Sequence, residues 1–415
     1  MVEDLYRNRF KMKFKSMFVF LVIAILFLNS CADPKNDSSV KPLKKLELET
    51  PGKIKDAPLS LVEFYDGPSD LSKFVNGDLI YSQVLTDLKA NVMGWRVLYA
   101  TTSLDGSRSV ASALIYSPKD NKKHHVIAWA HGTTGLADGC APSLAQDGTK
   151  QISYFDDYIN NGYAIIAPDY EGLGTPGVHP YLVGISEGRS ILDSVLVAQK
   201  FGPINAISGA VVVGHSQGGQ GALFAGQLNN TYAPTAKLSG VVGIAPAGEL
   251  NMLINNVSKL GITNGFVVMG AAGFKAAYKD LNLDAVLTRS VIDKSPELET
   301  GCLILNILTF KDDTGTTLVA DPSTIEPWAT YLEKNSPGGI KIDVPVFIAQ
   351  GTDDIIVPEF ISQEIHDKYC TLDTPANKKL YPNADHSGVL KSARNDVLSF
   401  VRKRFDKKEF FSSCK

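Results

Sequence analysis

The chain has 415 residues, of which 44% are hydrophobic and 20% charged, and its formal net charge is −3. That size and apolar content accommodate one large α/β domain with an insertion, or two domains, and the near-neutral charge provides no basic stripe for nucleic acid. Seven histidines occur without His-Glu-x-x-His or Cys-x-x-Cys spacing, which argues against a metal site.

Lys11, Lys13 and Lys15 precede a wholly apolar run over residues 17–28. Its length suits the core of a signal peptide and is short for a membrane span. Leu28-Asn29-Ser30-Cys31 resembles a bacterial lipobox, so residues 1–31 read as a lipoprotein-type signal peptide. Cys31 then becomes the lipidated first residue and anchors the chain to the cell envelope; a simply secreted protein is the alternative. Met12-Lys13-Phe14-Lys15 offers a second start site beside Met1. Residues 32–57 are polar, lysine- and glutamate-rich and without periodicity, as expected of a flexible tether.

From residue 58 onward the pattern changes. Residues 95–101 and 110–116 read as a strand pair joined by a turn at Asp105-Gly106. Short apolar runs at 126–130, 163–167, 211–213, 241–244 and 344–349 alternate with helical stretches at 154–160, 190–201, 219–228, 359–369 and 389–405. This is the signature of a parallel sheet buried on both faces. The core therefore divides into residues 58–246 and 341–415, separated by an insertion at 247–340 that is rich in Gly, Ala and large aliphatic residues. A structureless loop of that length is rare, so the insertion reads as a mostly helical cap, and an apolar cap over an active site would shape a hydrophobic pocket.

The most informative stretch is Gly209-Ala210-Val211-Val212-Val213-Gly214-His215-Ser216-Gln217-Gly218-Gly219. An apolar strand runs into a serine between glycines, and small residues then open a helix, which is the pattern of a nucleophile elbow. The five-residue motif alone is weak, since about one random chain in five of this length and composition carries Gly-x-Ser-x-Gly. A second copy exists here at Gly184-Ile185-Ser186-Glu187-Gly188. It follows His179-Pro180-Tyr181, which is no buried strand, so Ser216 and not Ser186 is expected to be the nucleophile.

A serine hydroxyl needs a base to take its proton and an acid to orient that base. After the elbow the order is acid, then histidine. His386 stands in a loop, Tyr381-Pro382-Asn383-Ala384-Asp385-His386-Ser387-Gly388, ahead of the last helix, and is the expected base. His366 falls within a charged helix and is expected on a solvated face, and His124 and His125 follow lysines and are expected to be exposed. Gln350-Gly351-Thr352-Asp353-Asp354-Ile355-Ile356-Val357-Pro358 directly follows a buried strand. The pattern Gly-x-x-Asp-x-x-Val-Pro places the acid at Asp354, with Asp353 in the turn or facing solvent. Asp385, the neighbour of the histidine, is disfavoured because adjacent side chains point apart. The oxyanion donors are expected to be the backbone amides of Gln217 and Thr133, the latter in His131-Gly132-Thr133-Thr134-Gly135. Such a triad requires no metal or cofactor.

Apart from Cys31 the chain has Cys140, Cys302, Cys370 and Cys414. An even number in an exported chain implies two disulfides, with three pairings open.

With Ser216, Asp354, His386 and the His131 loop in this order, the chain resembles the secretory lipase family of the α/β-hydrolase superfamily. The resemblance runs from about Asp56 to the C-terminus. It is carried further by Glu63-Phe64-Tyr65 ahead of a proline, Gly77-Asp78-Leu79-Ile80, Asp169-Tyr170-Glu171-Gly172, Gly184-x-x-Glu187-Gly188 and Ile191-Leu192-Asp193. It implies an α/β-hydrolase fold, a mostly parallel central sheet flanked by helices, with a helical cap. It also implies hydrolysis of acyl esters, often of lipids, pairing of Cys140 with Cys302 and of Cys370 with Cys414, and a non-catalytic role for the second Gly-x-Ser-x-Gly. The cap sequence departs from the family, so substrate preference does not transfer.

Overall fold

The computed structural model describes residues 60–145, 147–257, 263–313 and 317–414. The signal peptide, the tether and Cys31 lie outside the described residues. Among the described residues no helix is long and apolar enough to cross a membrane.

A short helix, α1 (Leu61–Asp66), opens the described chain, and its Ser60 and Glu63 cap each other reciprocally. Three antiparallel strands follow: β1 (Leu79–Val84), β2 (Val92–Thr102) and β3 (Arg108–Pro118). The β2–β3 turn falls at Asp105-Gly106 as the sequence predicts. Gly106 has φ +89°, and Asp105 Oδ1 accepts from the Ser107 amide at 2.9 Å.

The parallel part comprises β4 (His124–Ala130), β5 (Ala164–Pro168), β6 (Ala206–His215), β7 (Leu238–Ile244), β8 (Val346–Gly351) and β9 (Ala376–Tyr381). The sheet has nine strands in the order β1-β2-β3-β5-β4-β6-β7-β8-β9. Each of the five predicted buried runs is one of its strands. Helices α2 (Phe155–Asn160), α3 (Gly184–Lys200) and α4 (Gln217–Tyr232) precede the insertion, and α10 (Glu359–Thr371) and α11 (Gly388–Phe405) follow it. Alternation along β4 shows why both faces are covered. Val126, Ala128 and Ala130 pack with residues of α3 and α4, whereas Ile127 and Trp129 pack with α2 and α11.

Between β7 and β8, the stretch predicted as a cap contains α5 (Leu250–Val257), α6 (Asn264–Ala277), α7 (Arg289–Lys294), α8 (Leu303–Phe310) and α9 (Trp328–Lys334), with short 3₁₀ turns. A disulfide joins Cys140 to Cys302, and Leu303 N donates to Thr134 O at 2.7 Å, so α8 is tied to the loop after β4. Cys370 pairs with Cys414 and pins the C-terminal tail to α10.

Several expectations are corrected. Helix α3 begins at Gly184, six residues ahead of the predicted start, and takes in the whole second Gly-x-Ser-x-Gly. Strand β6 begins at Ala206, ahead of the predicted run at 211–213; its opening residues are partly buried or exposed, and Ser208 and Gly209 interrupt their apolar pattern. His366 is buried rather than solvated, since the disulfide-held tail covers it and Ser413 Oγ lies 2.8 Å from its Nε2. His124 is also buried, its Nδ1–H donating to Gly162 O at 2.8 Å. His125 is half-buried and stacks on Phe405 of α11. A charged sequence neighbourhood does not reveal a covering element that arrives from far along the chain.

Candidate active site

Strand β6 ends at His215 and α4 begins at Gln217, leaving Ser216 alone in the turn with φ 57° and ψ −119°. That region costs a non-glycine residue about 1–3 kcal/mol and persists only where the surroundings enforce it. Here Ser216 N donates to Ile244 O at 2.9 Å, while Ser216 O accepts from Gln220 N at 3.1 Å and Ala247 N at 3.0 Å. The flanking glycines are required by space. A Cβ on Gly214 would lie 1.9 Å from Gly218 O, and one on Gly218 would lie 2.1 Å from Ala130 O.

The loops after β8 and β9 are stitched together. Asp353 N donates to Ala384 O at 3.0 Å, and Asn383 N to Thr352 Oγ1 at 2.9 Å. A Cβ on Gly351 would come within 2.2 Å of Ala384 O, so only glycine lets the two loops meet this closely. Their meeting places the predicted residues in line. His386 Nε2 lies 2.9 Å from Ser216 Oγ, and His386 Nδ1 lies 2.7 Å from Asp354 Oδ2. The side chain of Asp354 is fully buried, and its Oδ1 accepts from the amides of Ile356 at 2.9 Å and Val357 at 2.8 Å. With Nδ1–H directed at this carboxylate, Nε2 is free to accept the serine proton.

The other candidates sort as expected. Asp353 is exposed, and Asp385 Oδ1 accepts from Gly388 N at the start of α11. Ser186 is buried and donates to Glu171 Oε2 at 2.7 Å, outside the Ser216–His386–Asp354 chain. His131 is buried against the ring of Tyr170, and burial pushes it down to about 4, leaving it neutral.

The loop after β4 lies against Ser216. A Cβ on Gly132 would sit 3.6 Å from Ser216 Cβ, and Thr133 Oγ1 lies 2.8 Å from Tyr181 OH. Gln217 is the first residue of α4, so its N–H has no acceptor within the helix.

Two supporting residues were not foreseen. His215, next to Ser216, donates from Nε2 to the carbonyl of His386 at 2.9 Å and so holds the loop that carries His386. Burial pushes it down to about 3, and it stays a neutral donor. Gln350 Nε2 donates to Asp354 Oδ2 at 3.2 Å and to Val357 O at 2.9 Å. Both stand inside motifs readable in the sequence, but nothing local says where their side chains reach.

Ser216 also lines an apolar chamber walled mainly by the insertion, with Leu250, Leu253, Phe266, Val267, Ala271, Phe274, Leu318 and Leu332 among its residues. Leu182, Ile356 and Val357 contribute from the core. Among the described lining residues, the polar side-chain atoms besides Ser216 belong to Tyr181 and Trp328, and the Trp328 N–H is already donated to Asn282 O at 3.2 Å.

This sheet order, with a strained serine turn facing loops after β8 and β9, defines an α/β-hydrolase, and its similarity to known proteins makes it one of lipase/esterase type. The family model for secretory lipases matches residues 150–412, and the chain belongs to that family. It is a carboxylic ester hydrolase. Among its relatives is a secreted triacylglycerol lipase of Malassezia globosa, 26% identical over 384 residues, covering 85% of this chain and 80% of that protein. Lipase 5 of Candida albicans is 24% identical over 393 residues, covering 85% and 82%. In fold the chain is similar to Candida antarctica lipase A in its closed state, with a TM-score of 0.75 at 20% identity, over 86% of this chain and 89% of that one. It is also similar to the rice cell wall degrading esterase of Xanthomonas oryzae, with a TM-score of 0.68 at 18% identity, over 80% and 100%.

Proposed function

We propose that this protein is an exported serine esterase that cleaves hydrophobic acyl esters, lipids among them, through an acyl-enzyme on Ser216. The observation that carries this reading is the continuous hydrogen-bonded chain Ser216–His386–Asp354 at the wall of an apolar chamber. In this reading Ser216 Oγ attacks the ester carbonyl while His386 Nε2 takes its proton. Asp354 holds the imidazole in the required tautomer and stabilises the imidazolium that forms. The amides of Gln217 and Thr133 receive the oxyanion. His386 then protonates the departing alkoxide, and a water that gives its proton to His386 releases the acid.

The insertion at 247–340 acts in this reading as a cap whose aliphatic and aromatic side chains receive the acyl tail. A chamber with no charged side chain among the described residues that line it suits a hydrocarbon chain and offers no grip for a peptide terminus. Export is supported by the apolar run at 17–28 and by relatives named as secreted. Lipidation at Cys31 would add an anchor, which Cys31→Ala would remove from a membrane fraction.

The test is hydrolysis of p-nitrophenyl esters from two to sixteen carbons by the wild type, Ser216→Ala and Ala271→Phe. Turnover is expected to vanish in Ser216→Ala. In Ala271→Phe, kcat/KM should fall on long chains and hold on short ones, because the added ring occupies the chamber. A wild type active only on two- to four-carbon acyl groups would instead favour a short-chain or carbohydrate esterase.

A further inference from the structure

Helices α3 and α4 approach unusually closely, and glycines make the approach possible. A Cβ on Gly184 would lie 2.2 Å from the ring of Phe224, one on Gly188 would lie 2.9 Å from the Phe224 carbonyl carbon, and one on Gly221 would lie 3.2 Å from Glu187 Cβ. The approach brings the carboxyl of Glu187, the fourth residue of α3, to the first residue of α4. Glu187 Oε1 accepts from Gln217 Nε2 at 2.9 Å and from Leu182 N at 3.0 Å. The second hydrogen of the Gln217 amide is directed at His179 Nε2, 2.9 Å away. His179 Nδ1 faces Glu171 O at 3.0 Å and therefore carries the ring proton, which makes Nε2 an acceptor. All three side chains are buried, and neither Glu187 nor His179 belongs to the Ser216–His386–Asp354 chain.

We propose that Glu187 and His179 are positioning residues for the oxyanion hole: they lash down the side chain of Gln217 so that its backbone N–H stays aimed at the site beside Ser216 Oγ. This rests on the reading of Ser216 as nucleophile. The peptide between Ser216 and Gln217 sits on the strained turn, and relaxing that strain would rotate the very N–H that must meet the oxyanion. A glutamine with both amide hydrogens held by buried acceptors resists that rotation. The same segment anchors the other arm of the hole. Tyr181, two residues after His179, holds Thr133 through the contact between its phenol and the Thr133 hydroxyl at 2.8 Å.

The chemistry of the acceptors fits the task. Burial pushes Glu187 up to about 8 and His179 down to about 3. At neutral pH neither carries a charge, so Gln217 is held without an anion placed next to a developing oxyanion. The second Gly-x-Ser-x-Gly thus has a physical account. Its glycines admit α4, its serine bonds Glu171, and its glutamate reaches the residue after the nucleophile.

The test measures kcat and KM on p-nitrophenyl butyrate for Glu187→Ala, Glu187→Gln, Gln217→Ala and the Glu187→Ala/Gln217→Ala pair, with Ser216→Ala beside them. Glu187→Ala is expected to lower kcat about ten- to hundredfold with KM within about twofold, since loss of a whole oxyanion donor costs about 10²–10³. Glu187→Gln should keep kcat within about threefold, because its amide oxygen accepts the same two hydrogen bonds. Gln217→Ala should match Glu187→Ala, and the double variant should lose no more than either. If Glu187→Ala does not fold, Gln217→Ala against Glu187→Gln decides. Wild-type kcat in Gln217→Ala, equal damage from Glu187→Gln and Glu187→Ala, or a rise in KM at unchanged kcat would overturn the proposal. Turnover persisting in Ser216→Ala would instead overturn the nucleophile assignment, a separate outcome.

Discussion

Asp354 Oδ2 lies 2.7 Å from His386 Nδ1, whereas Asp353, one residue earlier, is exposed and takes a hydrogen bond from Thr352 Oγ1 at 3.0 Å. Two adjacent carboxylates thus face opposite environments. Asp354→Asn is expected to lower kcat about 10³–10⁴-fold by favouring the wrong imidazole tautomer. Asp353→Asn should leave kcat within about twofold. Steady-state kinetics on one short-chain ester settles the ranking, and the reverse order would move the acid to Asp353.

The two disulfides close loops of very different length, with sequence separations of 162 for Cys140–Cys302 and 44 for Cys370–Cys414. By chain entropy alone the longer loop stabilises by about 1 kcal/mol more. Urea unfolding of the Cys140→Ala/Cys302→Ala and Cys370→Ala/Cys414→Ala variants should show that order. On the proposed mechanism the first pair should also reduce kcat, because Cys302 pairs with Gly135 and Leu303 bonds Thr134, next to the proposed oxyanion donor Thr133. Equal activity in both variants would mean that anchoring the insertion does not bear on the proposed role of Thr133.

Stability should depend on pH through buried groups other than Ser216, His386 and Asp354. Glu187 rises from an ordinary 4.5 to about 8, and Asp193 from 3.8 to about 7, both through burial. Between those values the folded chain keeps protons that the unfolded chain has lost, so their stabilisation drains away as pH rises towards 8. His131, His179 and His215, pushed by burial to about 4, 3 and 3, act in the opposite sense, and their contribution is lost as pH falls below 6.5. Above pH 6.5 those histidines are neutral in both states, and the carboxyls dominate among these groups. Unfolding free energy should therefore fall from pH 6.5 to 8. Glu187→Gln should flatten that slope between pH 7 and 8 by on the order of 1 kcal/mol per pH unit. An unchanged slope would mean that Glu187 is already ionised at neutral pH.

Much of the site was legible because its determinants are local. The run from Gly209 to Gly219 specifies a strand, a turn too tight for Cβ atoms and a helix start, all within a few residues of Ser216. The strand-end motif around Asp354 and the loop around His386 carry their own turn chemistry in the same way. Less legible was whatever depends on cover from a distance. His124 and His366 stand among charged neighbours yet are buried by the turn before β5 and by the C-terminal tail. The sequence predicts helix α3 from residue 190, and only contact with α4 explains why glycine is needed at Gly184 and Gly188 in the longer helix.

The sequence by itself determined the type of fold, and it pointed to Ser216, Asp354 and His386 in that order and to two disulfides, because strand periodicity, glycine-bounded turns and residue chemistry act over short spans. Residue spacing left three cysteine pairings open, and the tertiary structure brings within bonding distance the one that the family resemblance implies; it also shows that the insertion walls an apolar chamber beside Ser216. The tertiary structure alone decided that a glutamate from the unused motif holds Gln217. Those outcomes depend on which surfaces meet after the chain has folded back over tens to hundreds of residues, and no local pattern encodes where a side chain's partner will arrive from.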